Sequence, residues 1–283
     1  MLEYLTQLPC ETLGPNILGF LELIDIIQWE NAAASQKSQQ LLRAILPYCP
    51  PIVVSDSWNR VKFNHIVCNW FSNRRCRVQF MRIPIESLCE VNFEHAVLYD
   101  ITLCLNVKAS LKDIAALNDP NIRDKITKLD IKSDQDPAVM EVLFSLLTNS
   151  SVRSLYIRRS NPLRWMEHIK KIGPCLRELS IHNTYEIVIT VKTITEYCPY
   201  LEKLNCIFES DVSDSNILQS IANNCPRLRS LDIENLDYNT SVEADADLTA
   251  FAEKCPQLEE LSLNCQQLTD QSVIALAQHC SRL

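Results

Sequence analysis

The sequence predicts an α/β solenoid, with short parallel strands on a concave face, helices on a convex one, and a small all-α module in front. Two observations predict it. Apolar triplets of the form apolar-x-x-apolar-x-apolar recur at Ile126/Leu129/Ile131, Val152/Leu155/Ile157, Leu176/Leu179/Ile181, Leu201/Leu204/Cys206, Leu228/Leu231/Ile233 and Leu258/Leu261/Leu263, and their first members stand 26, 24, 25, 27 and 30 residues apart. A fixed period of that length is the mark of a repeat architecture. Within each unit the apolar pattern also changes, from the alternation of a strand to the spacing of a helix.

Residues 1–50 come first and carry no triplet. Their opening, LPCETLGPNILGFLELIDIIQW from Leu8 to Trp29, places Leu8, Pro9, Glu11, Leu13, Ile17, Leu18, Phe20, Leu21, Leu23 and Asp25 in a compact apolar pattern. This pattern resembles the first half of an F-box. The second half departs from that family: ENAAASQKSQQLLRAILPYC stands where a Val-Cys-x-x-Trp-like segment is usual, although Leu41, Leu42, Ile45 and Leu46 keep helical spacing. The other reading of 1–50 is a helical cap over the first repeat, which a solenoid needs to hide its open end.

Pro50-Pro51 marks a break, and residues 51–95 are either a connector or degenerate early repeats, with Val78 and Phe80 as a strand. Trp58, Trp70 and Phe71 lie among Arg74, Arg75, Arg77 and Arg82. Aromatics interleaved with arginines can stack bases and contact phosphate. The acidic balance of the whole chain favours the plainer reading, solvated arginines beside a strand.

Residues 96–283 are the repeats. A fainter triplet, Leu98/Ile101/Leu103, precedes Ile126 by 28 residues, and Leu283 stands 25 residues after Leu258 as the first position of another unit. The array therefore reads as cut mid-repeat, a fragment of a longer one or an end covered by another chain. Helix starts are signalled by Asp136-Pro137 and Asn161-Pro162, an N-cap residue before proline at the first helical position. Thr269 or Asp270 opens the last helix, where Val273, Leu276, Ala277 and Cys280 are expected on the buried face. A strand and a helix every 24 to 30 residues make a leucine-rich repeat solenoid.

Cysteine recurs with the same rhythm. Cys175, Cys198, Cys225, Cys255 and Cys280 precede the first leucine of a unit or close the preceding helix, and Cys-Pro at 198, 225 and 255 also stops that helix. A free thiol packs as a small buried hydrophobe in such a turn. Cys255-x-x-Leu258-x-x-Leu261-x-Leu263-x-Cys265-x-x-Leu268-Thr269-Asp270 resembles the consensus of the cysteine-containing leucine-rich repeats. The resemblance covers roughly the last two-thirds of the chain and is loosest at the units starting with Ile126 and Val152, which lack the leading cysteine.

On such strands the residues between the leucines face the concavity. In order they are Lys128/Asp130/Lys132, Ser154/Tyr156/Arg158, Glu178/Ser180/His182, Lys203/Asn205/Ile207, Ser230/Asp232/Glu234 and Glu260/Ser262/Asn264, drifting from basic to acidic. Lys128, Lys132, Tyr156, Arg158, His182, Asn205, Asp232, Glu234 and Glu260 are the candidate partner contacts. The expected partner is a protein of matching dipolar surface, with Tyr156 as an aromatic anchor.

Composition excludes several other functions. Three glycines, Gly14, Gly19 and Gly173, cannot build a phosphate loop or a dinucleotide fingerprint, and there is no G-x-S-x-G elbow. The five histidines, His65, His95, His168, His182 and His279, have no neighbouring nucleophile in the sequence, so no enzyme is expected. Thirteen cysteines without a C-x-x-C pair indicate neither disulfides nor zinc, and no cofactor is expected. Formal charge is −8 and the pI about 5.2, which argues against a general affinity for nucleic acid or anionic membrane. MLEYLTQLPC is no signal peptide, and no apolar run approaches the ~18 residues of a membrane span. The expected location is the cytoplasm or the nucleus.

The two resemblances together imply a function. A chain with an F-box followed by cysteine-type repeats is a substrate-recognition subunit of a Skp–cullin–F-box ubiquitin ligase. Leu8, Pro9, Leu13, Ile17, Leu18, Phe20 and Leu21 then bind a Skp-type adaptor, and the concave face holds the protein to be degraded. The alternative is a leucine-rich-repeat scaffold with no ligase connection.

Overall fold

A computed structural model of the chain describes residues 40, 52–54, 76–88, 96–98, 100–105, 109–132, 135–148, 151–159, 166–182, 187–213 and 217–283. It divides into two compact bodies, one of residues 1–104 with 110–127, the other of 105–109 with 128–283. The F-box-like stretch lies outside the described residues.

The first body is built on β2 (Cys76–Pro84), whose range contains the strand expected at Val78 and Phe80. Three short strands pair with it in parallel: β1 (Ile52–Val54), β3 (Ala96–Leu98) and β4 (Ile101–Leu105). β3 and β4 follow one another along β2, and Met81 N–H donates to the Asp100 carbonyl at 3.0 Å where they meet. Met81, Ile83, Ile101 and Leu103 are fully buried. α1 (Ile85–Leu88) packs on β2 and on α2 (Leu111–Ile114), and Ile85, Leu88 and Ile114 are buried, as is Ile122 of α3 (Pro120–Arg123). Asp119 caps α3 by accepting from Asn121 N–H at 2.9 Å, ahead of Pro120 at the first helical position.

The second body alternates strand and helix in chain order. Its strands are β5 (Ile126–Lys132, entered from the first body), β6 (Ser154–Arg158), β7 (Glu178–His182), β8 (Lys203–Ser213), β9 (Ser230–Asp237) and β10 (Glu260–Leu263). The helices between and after them are α4 (Pro137–Leu147), α5 (Met166–Ile172), α6 (Ile187–Glu196), α7 (Ile217–Asn224), α8 (Ser241–Lys254) and α9 (Asp270–His279). Each strand pairs in parallel with the next, and the register sets apolar on apolar: Leu129, Leu155, Leu179, Leu204, Leu231 and Leu261 form one row, and Ile131, Ile157, Ile181, Cys206, Ile233 and Leu263 the next. Because a one-residue slip would turn every leucine to solvent, this register is strongly specified. The strand entries repeat too. The carbonyls of Arg153, Arg177, Glu202 and Arg229 each accept two successive N–H groups of the following strand, at 2.7–3.0 Å.

Helix ends explain where the chain turns. Asp136 caps α4 through Ala138 N–H at 2.9 Å with Pro137 behind it, as the sequence predicts. Thr269, rather than Asp270, caps α9, accepting from Gln271 N–H at 3.3 Å. Asn161-Pro162 lies outside the described residues. Gly173 is required by space: a Cβ there would run into the carbonyl of Tyr197, so only glycine lets the end of α5 approach the end of α6.

The buried cysteines do more than fill the turn. Cys225 Sγ lies 3.4 Å from the Cys198 carbonyl, Cys255 Sγ 3.9 Å from that of Cys225, and Cys280 Sγ 3.6 Å from that of Cys255. Each thiol therefore donates to a carbonyl at the end of the preceding helix, which also accepts the backbone N–H three residues on, that of Leu201, Leu228 or Leu258. Burial pushes the Cys198 and Cys255 thiols up to about 12, and those of Cys206 and Cys225 up as well. They stay protonated at neutral pH, so Cys225 and Cys255 remain donors.

One expectation is corrected. On α9 the buried residues are Ser272 and Ala275; Val273 is 65% exposed and Ala277 is exposed. Counted back from the closing cysteine, Val273, Leu276 and Ala277 match Leu248, Phe251 and Ala252 of α8 and Leu218, Ile221 and Ala222 of α7, all buried. α7 and α8 each have the following helix packed on them, and among the described residues no helix follows α9. The same edge leaves Leu261 and Leu263 of β10 half-buried although they continue buried rows.

Candidate protein-interaction face

Strand alternation puts the other half of each strand on the opposite side of the sheet from the leucine rows. Register arranges these residues in three columns. The first is Lys128, Ser154, Glu178, Lys203, Ser230, Glu260; the second Asp130, Tyr156, Ser180, Asn205, Asp232, Ser262; the third Lys132, Arg158, His182, Ile207, Glu234. All nine partner contacts expected from the sequence fall in these columns. A groove of about 570 Å³ runs across the first two columns, from Lys128 and Tyr156 to Glu260 and Ser262.

Neighbouring columns hold one another. Glu178 Oε2 accepts from Ser154 Oγ at 2.8 Å and from the Tyr156 hydroxyl at 3.2 Å, with Lys128 Nζ at 4.0 Å. Burial, then the Glu178 carboxylate, push the Tyr156 hydroxyl up to about 12, so it remains a neutral donor. Asp130 is only 1% exposed, with Arg158 Nη2 at 3.1 Å and Lys132 Nζ at 4.0 Å. The sequence places Asp130 among the residues that face the concavity, where exposure is expected. Its burial follows from the two long cationic side chains lying over it.

A polar chain continues through the middle of the face. Asn205 Nδ2 donates to Asp232 Oδ2 at 2.7 Å, which leaves Asn205 Oδ1 as the acceptor for His182 Nε2 at 2.8 Å. Ser180 Oγ lies 2.8 Å from the same nitrogen. With Nε2–H committed to Asn205, that nitrogen has no lone pair to take the Ser180 proton. Ser180, His182 and Asp232 therefore do not form a nucleophilic triad, which needs one ring nitrogen toward the serine and the other toward the acid.

The two ends of the face differ. On β5–β7, Lys132 and Arg158 sit on Asp130, and Lys128 sits on Glu178. On β9–β10, Asp232 and Glu260 accept from neutral donors, Asn205 and Ser230, Glu234 is exposed, and none of the three has an ion pair among the described residues. Glu178, Asp130 and Lys203 are the charged members of the face that the candidate contacts left out. Strand alternation in the sequence already sets them on this face, and register places them in the same columns.

Leu8, Pro9, Leu13, Ile17, Leu18, Phe20 and Leu21 lie outside the described residues, as do Trp58, Trp70, Phe71, Arg74 and Arg75. Arg82 is described, and its Nε donates to Cys104 Sγ at 3.0 Å. Among the described residues no three His, Cys, Asp or Glu side chains converge on a metal position, and no helix is long and apolar enough to cross a membrane. No protein-family model matches the chain, and no curated protein matches it either.

Proposed function

We propose that this chain is a leucine-rich-repeat interaction protein that holds a protein partner against its polar sheet face. The observation that carries the reading is the register: six successive strands set their leucines in rows on one side and present three columns of polar side chains on the other. Repeat proteins use such continuous strand surfaces for binding. The cysteines that recur at 198, 225, 255 and 280 support the cysteine-containing kind of repeat.

The F-box-like pattern of Leu8, Pro9, Leu13, Ile17, Leu18, Phe20 and Leu21 extends the proposal. The front of the chain ties to a Skp-type adaptor, and the whole acts as a substrate-recognition subunit of a Skp–cullin–F-box ubiquitin ligase, in the cytoplasm or nucleus. The test is capture of the full chain, and of its L13D/I17D variant, by a purified Skp-type adaptor. The proposal expects capture of the wild-type chain alone. A folded wild-type chain that is not captured removes the ligase part and leaves the interaction face with a capping front.

A further inference from the structure

We propose that the β9–β10 end of the polar face takes an extended, lysine- or arginine-bearing segment of a protein partner. The inference rests on the reading of this face as a binding surface, and it replaces the dipolar partner that the sequence suggests. Asp232 and Glu260 line the groove as its acidic wall and Tyr156 lines its far side, while Glu234 stands exposed on β9 two residues beyond Asp232.

The argument is one of charge left unanswered. Cations at the β5–β7 end already face carboxylates of the protein, at 3.1 Å from Arg158 to Asp130 and at 4.0 Å from Lys132 and Lys128. An acidic partner would compete with Asp130, which is buried beneath them. At the other end the hydrogen bonds to Asp232 and Glu260 come from an amide and a hydroxyl, so the negative charges stand.

Lys203 is the cation of that half. It shares a column with Glu260, but Ser230 lies between them, which puts two strand spacings, about 10 Å, between their backbones. Like charges on neighbouring strands repel, and a cation from outside removes that repulsion. The long stems of lysine and arginine suit the groove, since their methylenes pack while the charge reaches the wall. Asp232 and Glu234 are two residues apart on one strand, roughly 7 Å along it. That spacing fits successive side chains of an extended peptide and not one metal ion, whose oxygen ligands lie at about 2.0–2.6 Å.

The test uses the full chain and a positional-scanning library of ten-residue peptides, each pool fixed at one position as Lys, Arg, Glu, Asp, Leu or Phe. Affinities are measured by fluorescence anisotropy at low and at physiological salt. Lys and Arg pools are expected to bind most tightly and to weaken with salt. The variant D232N/E234Q/E260Q, which keeps every hydrogen-bond acceptor, is expected to weaken those pools roughly tenfold or more and to flatten the salt dependence. Glu or Asp pools ranking first, an unchanged affinity of the Lys and Arg pools for the variant, or no binding by any pool overturns the inference. A second variant, S262W, fills the groove from an exposed position on β10 and separates the two readings. If other pools bind and S262W abolishes their binding, the face is a binding surface and only the basic preference falls. Lys and Arg pools indifferent to both variants overturn the inference and the binding face together.

Discussion

The helix side and the strand side of the second body use polar residues in opposite ways. On the helix side the carboxylates of Asp247 and Asp245 are absorbed by the fold. Asp247 of α8 is buried, and its carboxylate accepts from Leu218 N–H at 3.0 Å, Gln219 N–H at 2.8 Å and the Tyr238 hydroxyl at 2.7 Å, so it caps the preceding helix α7. Two residues earlier, Asp245 accepts from the backbone of Thr269 at 3.0 Å and its hydroxyl at 2.6 Å, and from Ser272 Oγ, so it ties down the start of the following helix α9. One helix thus fixes both neighbours. On the strand side, Asp232, Glu234 and Glu260 keep their charges unanswered. Charge consumed by the fold stabilises it; charge left standing is available to a partner.

Substitutions can break this contrast in order of size. Asp247→Ala should cost the most, about 3 kcal/mol or more, because it strands two amides and a hydroxyl in a buried site; urea denaturation of the full chain measures it. Gly173→Ala should cost about 2 kcal/mol, since the added Cβ meets a backbone carbonyl that cannot swing away. Asp245→Ala should cost about 1 kcal/mol, the usual effect of losing a cap.

Asp245 also sets a pH dependence. Burial alone would raise its pKa, but the hydrogen bonds from Ser272 and Thr269 outweigh it and lower the pKa. A carboxyl depressed in the folded state stabilises it above the unfolded pKa, about 3.9, and that contribution fades as pH falls through the folded value. Asp245→Asn should therefore lose part of the stability decline below about pH 4, read as a shallower acid arm in thermal melts from pH 2 to 7.

The same contrast explains what was legible in the sequence. The leucine rows were, because burial of one strand face fixes register and the triplets carry it. The rhythm of Cys198, Cys225, Cys255 and Cys280 was legible as packing. That the last three thiols also donate to a carbonyl was not, since the acceptor belongs to another unit. Asp130 and Val273 were misplaced for one shared reason. Burial of a side chain depends on its neighbours as well as its own element: Arg158 of the next strand covers Asp130, and nothing described covers Val273. Asp247 was invisible because its partners, Leu218 and Gln219, lie 29 and 28 residues away. Of the proposed site, alternation gave the columns, while the pairing that neutralises one end and spares the other needed coordinates.

The most direct measurement is the urea midpoint of D232N/E234Q/E260Q beside that of the wild-type chain. If these carboxylates serve a partner and not the fold, removing their charge leaves stability within about 0.5 kcal/mol or raises it, because like-charge repulsion goes and every hydrogen bond keeps an acceptor. A loss of more than about 1 kcal/mol, the size of a structural cap, would show that the fold depends on them, and the polar face would have to be read as part of its stability instead of as a surface held ready for a partner.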